Sequence, residues 1–138
     1  MKSTIFVDTS AWLALVNKSD VFHRRAKEVR DELVKNKAKF LLTNLIIVEI
    51  ANCLSRLPFR SAAIQLIESI EASKEIQVVE IDREIYDEAW KLYCGHEDKE
   101  WGLTDCASFV VMGRYGIKEA FCTDHHFEQA GFTILLKE

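Results

Sequence analysis

Apolar residues recur along this chain at two alternating spacings, one suited to strands and one to helices. Thr4–Val7 is a short apolar run that reads as a buried strand, and Ser10–Asn17 reads as a short helix. Phe22, Ala26, Val29 and Leu33 recur at helical spacing, which predicts an amphipathic helix from Asp20 to about Lys37. Phe40–Leu42 predicts a brief strand, and Asn44–Leu57 a helix. Pro58 separates that helix from another, because proline is tolerated in a first turn but not in a helix interior. In the second helix Ala62, Ala63, Leu66, Ile67 and Ile70 mark the buried face. Ile76–Ile81 reads as a strand centred on Val78 and Val79. Asp82 caps the next helix, whose inner face is Ile85, Ala89 and Leu92 with Tyr93. A charged loop spans Cys94–Gly102, followed by a helix over Leu103–Tyr115 and a strand over Ala120–Cys122. A helical turn at His125–Ala130 and a strand at Thr133–Leu136 close the chain.

Strands separated by helices predict a three-layer α/β/α sandwich with a mainly parallel central sheet. Open sheets of this kind place ligands beyond the carboxyl ends of their strands. Asp8 and Asp124 both fall just past predicted strand ends. With 138 residues, one proline and five glycines, the chain has room for one domain over 1–138 and no linker or repeat.

Composition narrows the class. Hydrophobic residues make up 49% and charged residues 29%, as in a globular protein. No apolar run approaches the roughly 18–20 residues of a membrane span. The start, Met1-Lys2-Ser3-Thr4, leads into a short run that ends in an acid, unlike a signal peptide, so a cytoplasmic protein is expected. Cys53, Cys94, Cys106 and Cys122 form no C-x-x-C pair and are expected to be buried small hydrophobes. His23, His96, His125 and His126 lack a spacing that would complete a zinc cluster with them.

Net charge is −4, unevenly spread. Lys18 to Lys39 holds eight bases and four acids (+4), and Glu80 to Glu100 eight acids and three bases (−5). A generic nucleic-acid coat protein would be basic overall. Arg24, Arg25, Lys27 and Arg30 on the basic helix read either as an RNA-backbone contact or as a solvated face.

Four carboxylates carry the chemistry. Asp8 ends Ile5-Phe6-Val7, Glu49 interrupts Leu45-Ile46-Ile47-Val48-Ile50, Asp105 opens the apolar stretch to Met112, and Asp124 follows Ala120-Phe121-Cys122. Asp8, Asp105 and Asp124 each also suit a helix N-terminus. Glu49 has no such reading; an ion pair with Arg56 is open to it, but that residue is two turns away and few other cations are local. Acids delivered to the ends of several core elements need a shared counter-ion. Mg²⁺ or Mn²⁺, hard cations that prefer oxygen donors, would serve. Thr9, Ser10, Thr104 and Thr123 flank three of the acids and could orient them, or act as ordinary caps. Glu97 and Asp98 in the charged loop read as solvated. Such a cluster suits metal-assisted phosphodiester hydrolysis.

These residues resemble the PIN-domain ribonucleases, and among them the VapC-type toxins. The resemblance rests on Phe6-Val7-Asp8-Thr9-Ser10-Ala11-Trp12, on Thr43 with Glu49, on Leu103-Thr104-Asp105-Cys106-Ala107-Ser108-Phe109, and on Thr123-Asp124-His125-His126-Phe127 before Gly131-Phe132. It implies a parallel sheet flanked by helices, Mg²⁺- or Mn²⁺-dependent endonuclease activity on RNA, homodimers and, for toxins, a small cognate antitoxin. By that match Asp8, Glu49, Asp105 and Asp124 are the metal-site acids, with Thr9, Ser10 and Thr104 as supporting groups. Similar domains also process RNA without an antitoxin. Two other classes share an α/β fold with acids. A receiver-like phosphotransfer regulator would want paired acids after the first strand, where Asp8 is alone. A metal-dependent adhesion module would want D-x-S-x-S, but Trp12 replaces the second serine, and neither class uses Glu49.

Overall fold

The computed structural model describes residues 3–137. Residues 1, 2 and 138 of the domain expected over 1–138 lie outside the described residues. The chain runs β1 (Thr4–Val7), α1 (Thr9–Val16), α2 (His23–Lys35), β2 (Lys39–Thr43), α3 (Asn44–Cys53) and α4 (Leu57–Ala72). It continues through β3 (Ile76–Val79), α5 (Arg83–Cys94), α6 (Leu103–Tyr115), β4 (Glu119–Phe121), α7 (His125–Gln129) and β5 (Thr133–Ile134). The strands form one sheet in the order β3-β2-β1-β4-β5, and every pair is parallel. Phe6 at the centre pairs with Leu41 on one side and Ala120 on the other.

A parallel sheet needs crossovers, and right-handed crossovers fix which face each helix covers. The chain steps from β1 to β3 in one direction and returns to β4 on the far side of β1. The helix contacts divide accordingly. In one layer α1 packs on α2 and α3, and α3 on α4; in the other α6 packs on α5 and α7. Phe6, Leu41, Leu42 and Phe121 from the sheet, with Ile46, Ile50 and Met112 from the helices, are fully buried. Burial of each such side chain contributes roughly 1.5–3 kcal/mol of hydrophobic transfer free energy.

Several boundaries differ from the expected ones for identifiable reasons. The helix expected over Asn44–Leu57 ends at Cys53 because Pro58 opens α4, and its ring would strike the carbonyl of Leu54 in a continuous helix. The helix expected from Asp20 begins at His23, since the Asp20 carboxylate accepts from Phe22 N–H (2.8 Å) in a turn. The strand expected to reach Ile81 stops at Val79, where Asn44 Oδ1 accepts from Ile81 N–H (2.9 Å) in place of a strand neighbour. Asp82 caps α5 as expected, accepting from Ile85 N–H (2.9 Å). Helix α6 spans the expected residues and stops at Gly116, whose φ of 66° is the left-handed terminator that glycine adopts without strain.

Two expectations about burial fail. Cys106 and Cys122 are buried, but Cys53 and Cys94 are exposed, since each closes a helix at its solvent end. Tyr93 was expected on the inner face of α5, but it is exposed and stacks on Trp90 with ring centroids 5.5 Å apart. Near the end of an amphipathic helix an aromatic ring can lie over a neighbouring ring instead of entering the core.

Candidate metal centre

The connections diverge beyond the carboxyl ends of β1 and β4, because the chain leaves β1 toward β2 and enters β4 from the opposite face. Crevices at such switch points hold ligands in open α/β sheets. Asp8 is the residue after β1, and its N–H donates to Phe121 O (3.1 Å) at the end of β4. Asp124 follows β4 after Cys122 and Thr123. Helix α3 supplies Glu49, and the first turn of α6 supplies Asp105.

Asp8 occupies the N-cap position of α1, yet its side chain makes no capping hydrogen bond, and it is only 6% exposed. A cap that does not cap leaves burial of this acid without a local explanation. Instead, Ser10 Oγ donates to Asp8 Oδ2 (3.2 Å) and accepts from Thr123 N–H (3.1 Å), tying the acid to the β4 exit. Thr9 Oγ1 donates to Glu49 Oε1 (2.5 Å), joining α1 to α3. Among the described residues Glu49 has no ion pair with Arg56. Asp105 and Asp124 do act as caps: Gly102 N–H donates to Asp105 Oδ2 (3.0 Å), and His126 N–H donates to Asp124 Oδ1 (2.9 Å). Each carboxylate retains lone pairs for a further partner.

Electrostatics unites the four. The Asp8 carboxyl is pushed up to about 7, first by burial and then by the Asp105 charge. Asp124 and Glu49 push the same way, against the opposing Thr9 N–H. Asp105 is also raised, by burial first; Asp124 and Glu49 add to this, while Gly102 N–H and His126 oppose it. Asp8 and Asp105, each raised by burial and by the charges of neighbouring acids, fit a divalent cation as the common counter-ion of the cluster. Burial, then the Asp8 charge, pushes the Cys122 thiol upward, and burial takes Cys106 to about 11. Neither is a thiolate near neutral pH, so the donor set is oxygen-rich and hard.

One neighbour was missed by sequence reasoning. His126 Nδ1 stands 3.4 Å from Asp105 Oδ2 and 3.2 Å from Asp124 Oδ1. The available signal was its position in the turn just past a strand end, two residues beyond an acid. Asp124, His125 and His126 present metal-capable atoms all within 4.8 Å of one another. That set shares Asp124 with the four acids. A surface cavity of about 740 Å³ borders Gly102 and is lined by none of the four.

The remaining expected residues are more scattered. Thr104 sits beside Asp105, but its carbonyl accepts from Ser108 Oγ (3.1 Å) and its hydroxyl holds none of the acids. Arg24 and Arg25 each pair with Glu28 (3.4 Å), and Arg30 with Asp31 (3.0 Å); Lys27 is exposed. All four basic residues lie on α2, which packs against α1. Glu97 and Asp98 are exposed, as expected of a solvated loop.

Comparison with known proteins decides the family. The PIN domain model matches residues 5–133. The chain belongs to the PIN-domain family. Among PIN-domain proteins, it is 33% identical over 129 residues to the 23S rRNA-specific endonuclease VapC20 of Mycobacterium tuberculosis, covering 93% of this chain and 95% of the relative. The crystal structure of VapC20, described as a sarcin-ricin loop cleaving toxin, superimposes with a TM-score of 0.83 at 32% identity, covering 94% and 96% of the two chains. VapBC2 from Rickettsia felis, bound to a promoter DNA fragment, shares the fold with a TM-score of 0.71 at 11% identity, covering 97% and 98%. The expected α/β/α sandwich and VapC-type PIN-domain endonuclease are thereby borne out, and the receiver-like and adhesion readings are set aside. PIN nucleases depend on a divalent metal, in keeping with the cluster of acids and histidine.

Thr9 offers a direct check on how the site is held. Thr9→Val keeps the shape and removes the hydroxyl that steadies Glu49. Loss of such a supporting bond lowers activity about 10–100-fold. Steady-state cleavage rates measure this, with circular dichroism confirming the fold.

Proposed function

We propose that Asp8, Glu49, Asp105 and Asp124 bind Mg²⁺ or Mn²⁺ and that this site hydrolyses RNA phosphodiester bonds. The chain over 1–138 then acts as a single PIN-like domain, the toxin of a type II toxin–antitoxin pair. The observation that carries the reading is the Asp8 carboxylate, buried without a capping bond and tied through Ser10 to the β4 exit, where the charges of the other three acids act on it. Thr9 fixes one oxygen of Glu49, and Ser10 fixes one oxygen of Asp8, so each acid has its second oxygen available to a ligand. Gly102 and His126 N–H groups similarly set Asp105 and Asp124. When bound, the cation supplies charge neutralisation, a water of lowered pKa and stabilisation of the leaving oxygen. The chain contributes a rigid, pre-oriented set of anions and a partly dry mouth.

The substrate to test first is 23S rRNA at its sarcin-ricin loop, because VapC20 acts there and shares a third of its residues with this chain. An unchecked ribonuclease harms the cell that makes it, so a small cognate antitoxin is the expected partner. Exposed apolar side chains at Val48, Leu57, Phe59 and Ile64 on α3 and α4 offer surface for a partner. Homodimerisation and a cytoplasmic location complete the reading; no helix among the described residues is long and apolar enough to cross a membrane. Incubating the purified protein and Mg²⁺ or Mn²⁺ with ribosomal RNA, transfer RNA and an unstructured RNA tests the substrate. Cleavage confined to the ribosomal loop supports it, and indiscriminate or absent cleavage overturns it.

The basic face of α2 is the proposed RNA-backbone contact. Replacing Arg24, Arg25 and Lys27 together by Gln should weaken RNA binding and lower the slope of log affinity against log salt by roughly 0.7 per lost phosphate contact. An unchanged slope would leave these residues as a solvated face whose internal pairs contribute little.

A further inference from the structure

His126 Nδ1 is buried and has no hydrogen-bond partner among the described residues. Buried polar atoms are rarely left so, because they forgo water and gain nothing in return. The atom nevertheless lies 3.2 Å from Asp124 Oδ1 and 3.4 Å from Asp105 Oδ2, close enough for attraction but not aligned for hydrogen bonding. Those separations have a natural meaning in coordination chemistry. Neighbouring donors about 2.1 Å from a six-coordinate cation stand about 3 Å from one another. The ring nitrogen therefore stands from each of the two carboxylate oxygens at nearly the spacing of neighbouring ligands on one ion.

The backbone supports this placement. His126 N–H caps onto Asp124 Oδ1 (2.9 Å), which fixes the turn and brings the ring back over the same carboxylate. Phe127, the next residue, is fully buried against Phe6 (6.0 Å) and Phe109 (5.0 Å), which anchors α7 to the core. His125 belongs to the same metal-capable group, so the control is His96, whose Nδ1 is held by Leu92 O (2.9 Å) outside that group.

We propose that His126 Nδ1 is a nitrogen ligand to the divalent cation held by Asp105 and Asp124, an inference that rests on the metal-site reading above. A mixed nitrogen–oxygen site favours Mn²⁺ over Mg²⁺, since imidazole suits transition metals while Mg²⁺ prefers oxygen and water. The assignment makes His126 a selector of the metal as well as a holder of it.

Pulsed electron paramagnetic resonance of the Mn²⁺-loaded full chain reads the ligand directly, through ¹⁴N modulation of the manganese signal. The expected result is ¹⁴N modulation in the wild type and in His96→Ala, and its loss in His126→Ala. Titration calorimetry should show His126→Ala losing at least about tenfold in Mn²⁺ affinity, and less for Mg²⁺. His126→Gln, which preserves bulk, guards against a packing effect and should also lose the modulation. Bound Mn²⁺ that depends on Asp105 and Asp124 but shows no ¹⁴N modulation overturns the His126 assignment alone. Absence of Mn²⁺ binding to the wild type, or binding indifferent to Asp105→Asn and Asp124→Asn, overturns the metal-site reading and this inference with it.

Discussion

Asp8→Asn should abolish RNA cleavage, by at least about a hundredfold, while making the metal-free protein more stable above neutral pH. The two effects have one cause. Asp8 is buried, its N-cap position lacks a capping bond, and its charge is opposed by three neighbouring carboxylates. Ionised and without a cation, it is a cost to the fold; with a cation, it is the innermost anion of the site. Asn keeps the shape, can still accept from Ser10 Oγ, and its amide hydrogens can donate to the surrounding carboxylates. Thermal melts in EDTA at pH 8, beside cleavage assays with Mn²⁺, measure both. A variant that is inactive because it is destabilised would contradict the account. A structural Asp, by contrast, would lose stability on substitution.

The second large effect is the response of the metal-free protein to pH. The folded Asp8 carboxyl titrates near 7 against an ordinary value of 3.8, so between these values the folded state holds a proton that the unfolded chain has released. Stability is therefore greatest below about pH 4 as far as this group is concerned, and it falls as pH rises through 7. Asp105 is shifted in the same direction and adds to the slope. Between pH 5 and pH 8 the Asp8 contribution is on the order of 3 kcal/mol. For a chain of this size that corresponds to a midpoint lower by roughly 10 °C. Saturating Mn²⁺ should flatten the profile, because a ligand that binds the folded state at about a hundred times its Kd returns about 2.7 kcal/mol. Calorimetric scans in EDTA from pH 5 to 8 measure the slope. A midpoint that rises across this range contradicts the assigned environment of Asp8.

The elements that determine where the acids stand were legible because their patterns are local. Apolar runs ending in an acid marked β1 and β4, and α6 was delimited at both ends by its charged loop and Gly116. Glu49 stood out as an acid in an otherwise apolar helix, and its bond to Thr9 explains what its own helix could not. What was not legible depends on neighbours distant in sequence. The capping explanation for Asp8 could be tested only by seeing that its carboxylate accepts from the Ser10 hydroxyl and makes no capping bond to the α1 backbone. The place of His126 beside Asp105 follows from how α7 docks against α6, which no spacing records. Cys94 and Tyr93 were misplaced because helix periodicity does not say where a helix runs out into solvent. The early end of α3 was foreshadowed by Pro58, whose reach extends four residues back to Leu54.

The central claim is that the four acids work together through a divalent cation to cut RNA. Its most direct measurement is single-turnover cleavage of a sarcin-ricin loop RNA by the wild type, Asp8→Asn and Glu49→Gln, each with Mn²⁺ and with EDTA. Cleavage is expected by the wild type with Mn²⁺ alone, with a loss of at least about a hundredfold in either variant. Cleavage that persists in EDTA, or that both variants retain at the wild-type rate, would contradict the claim.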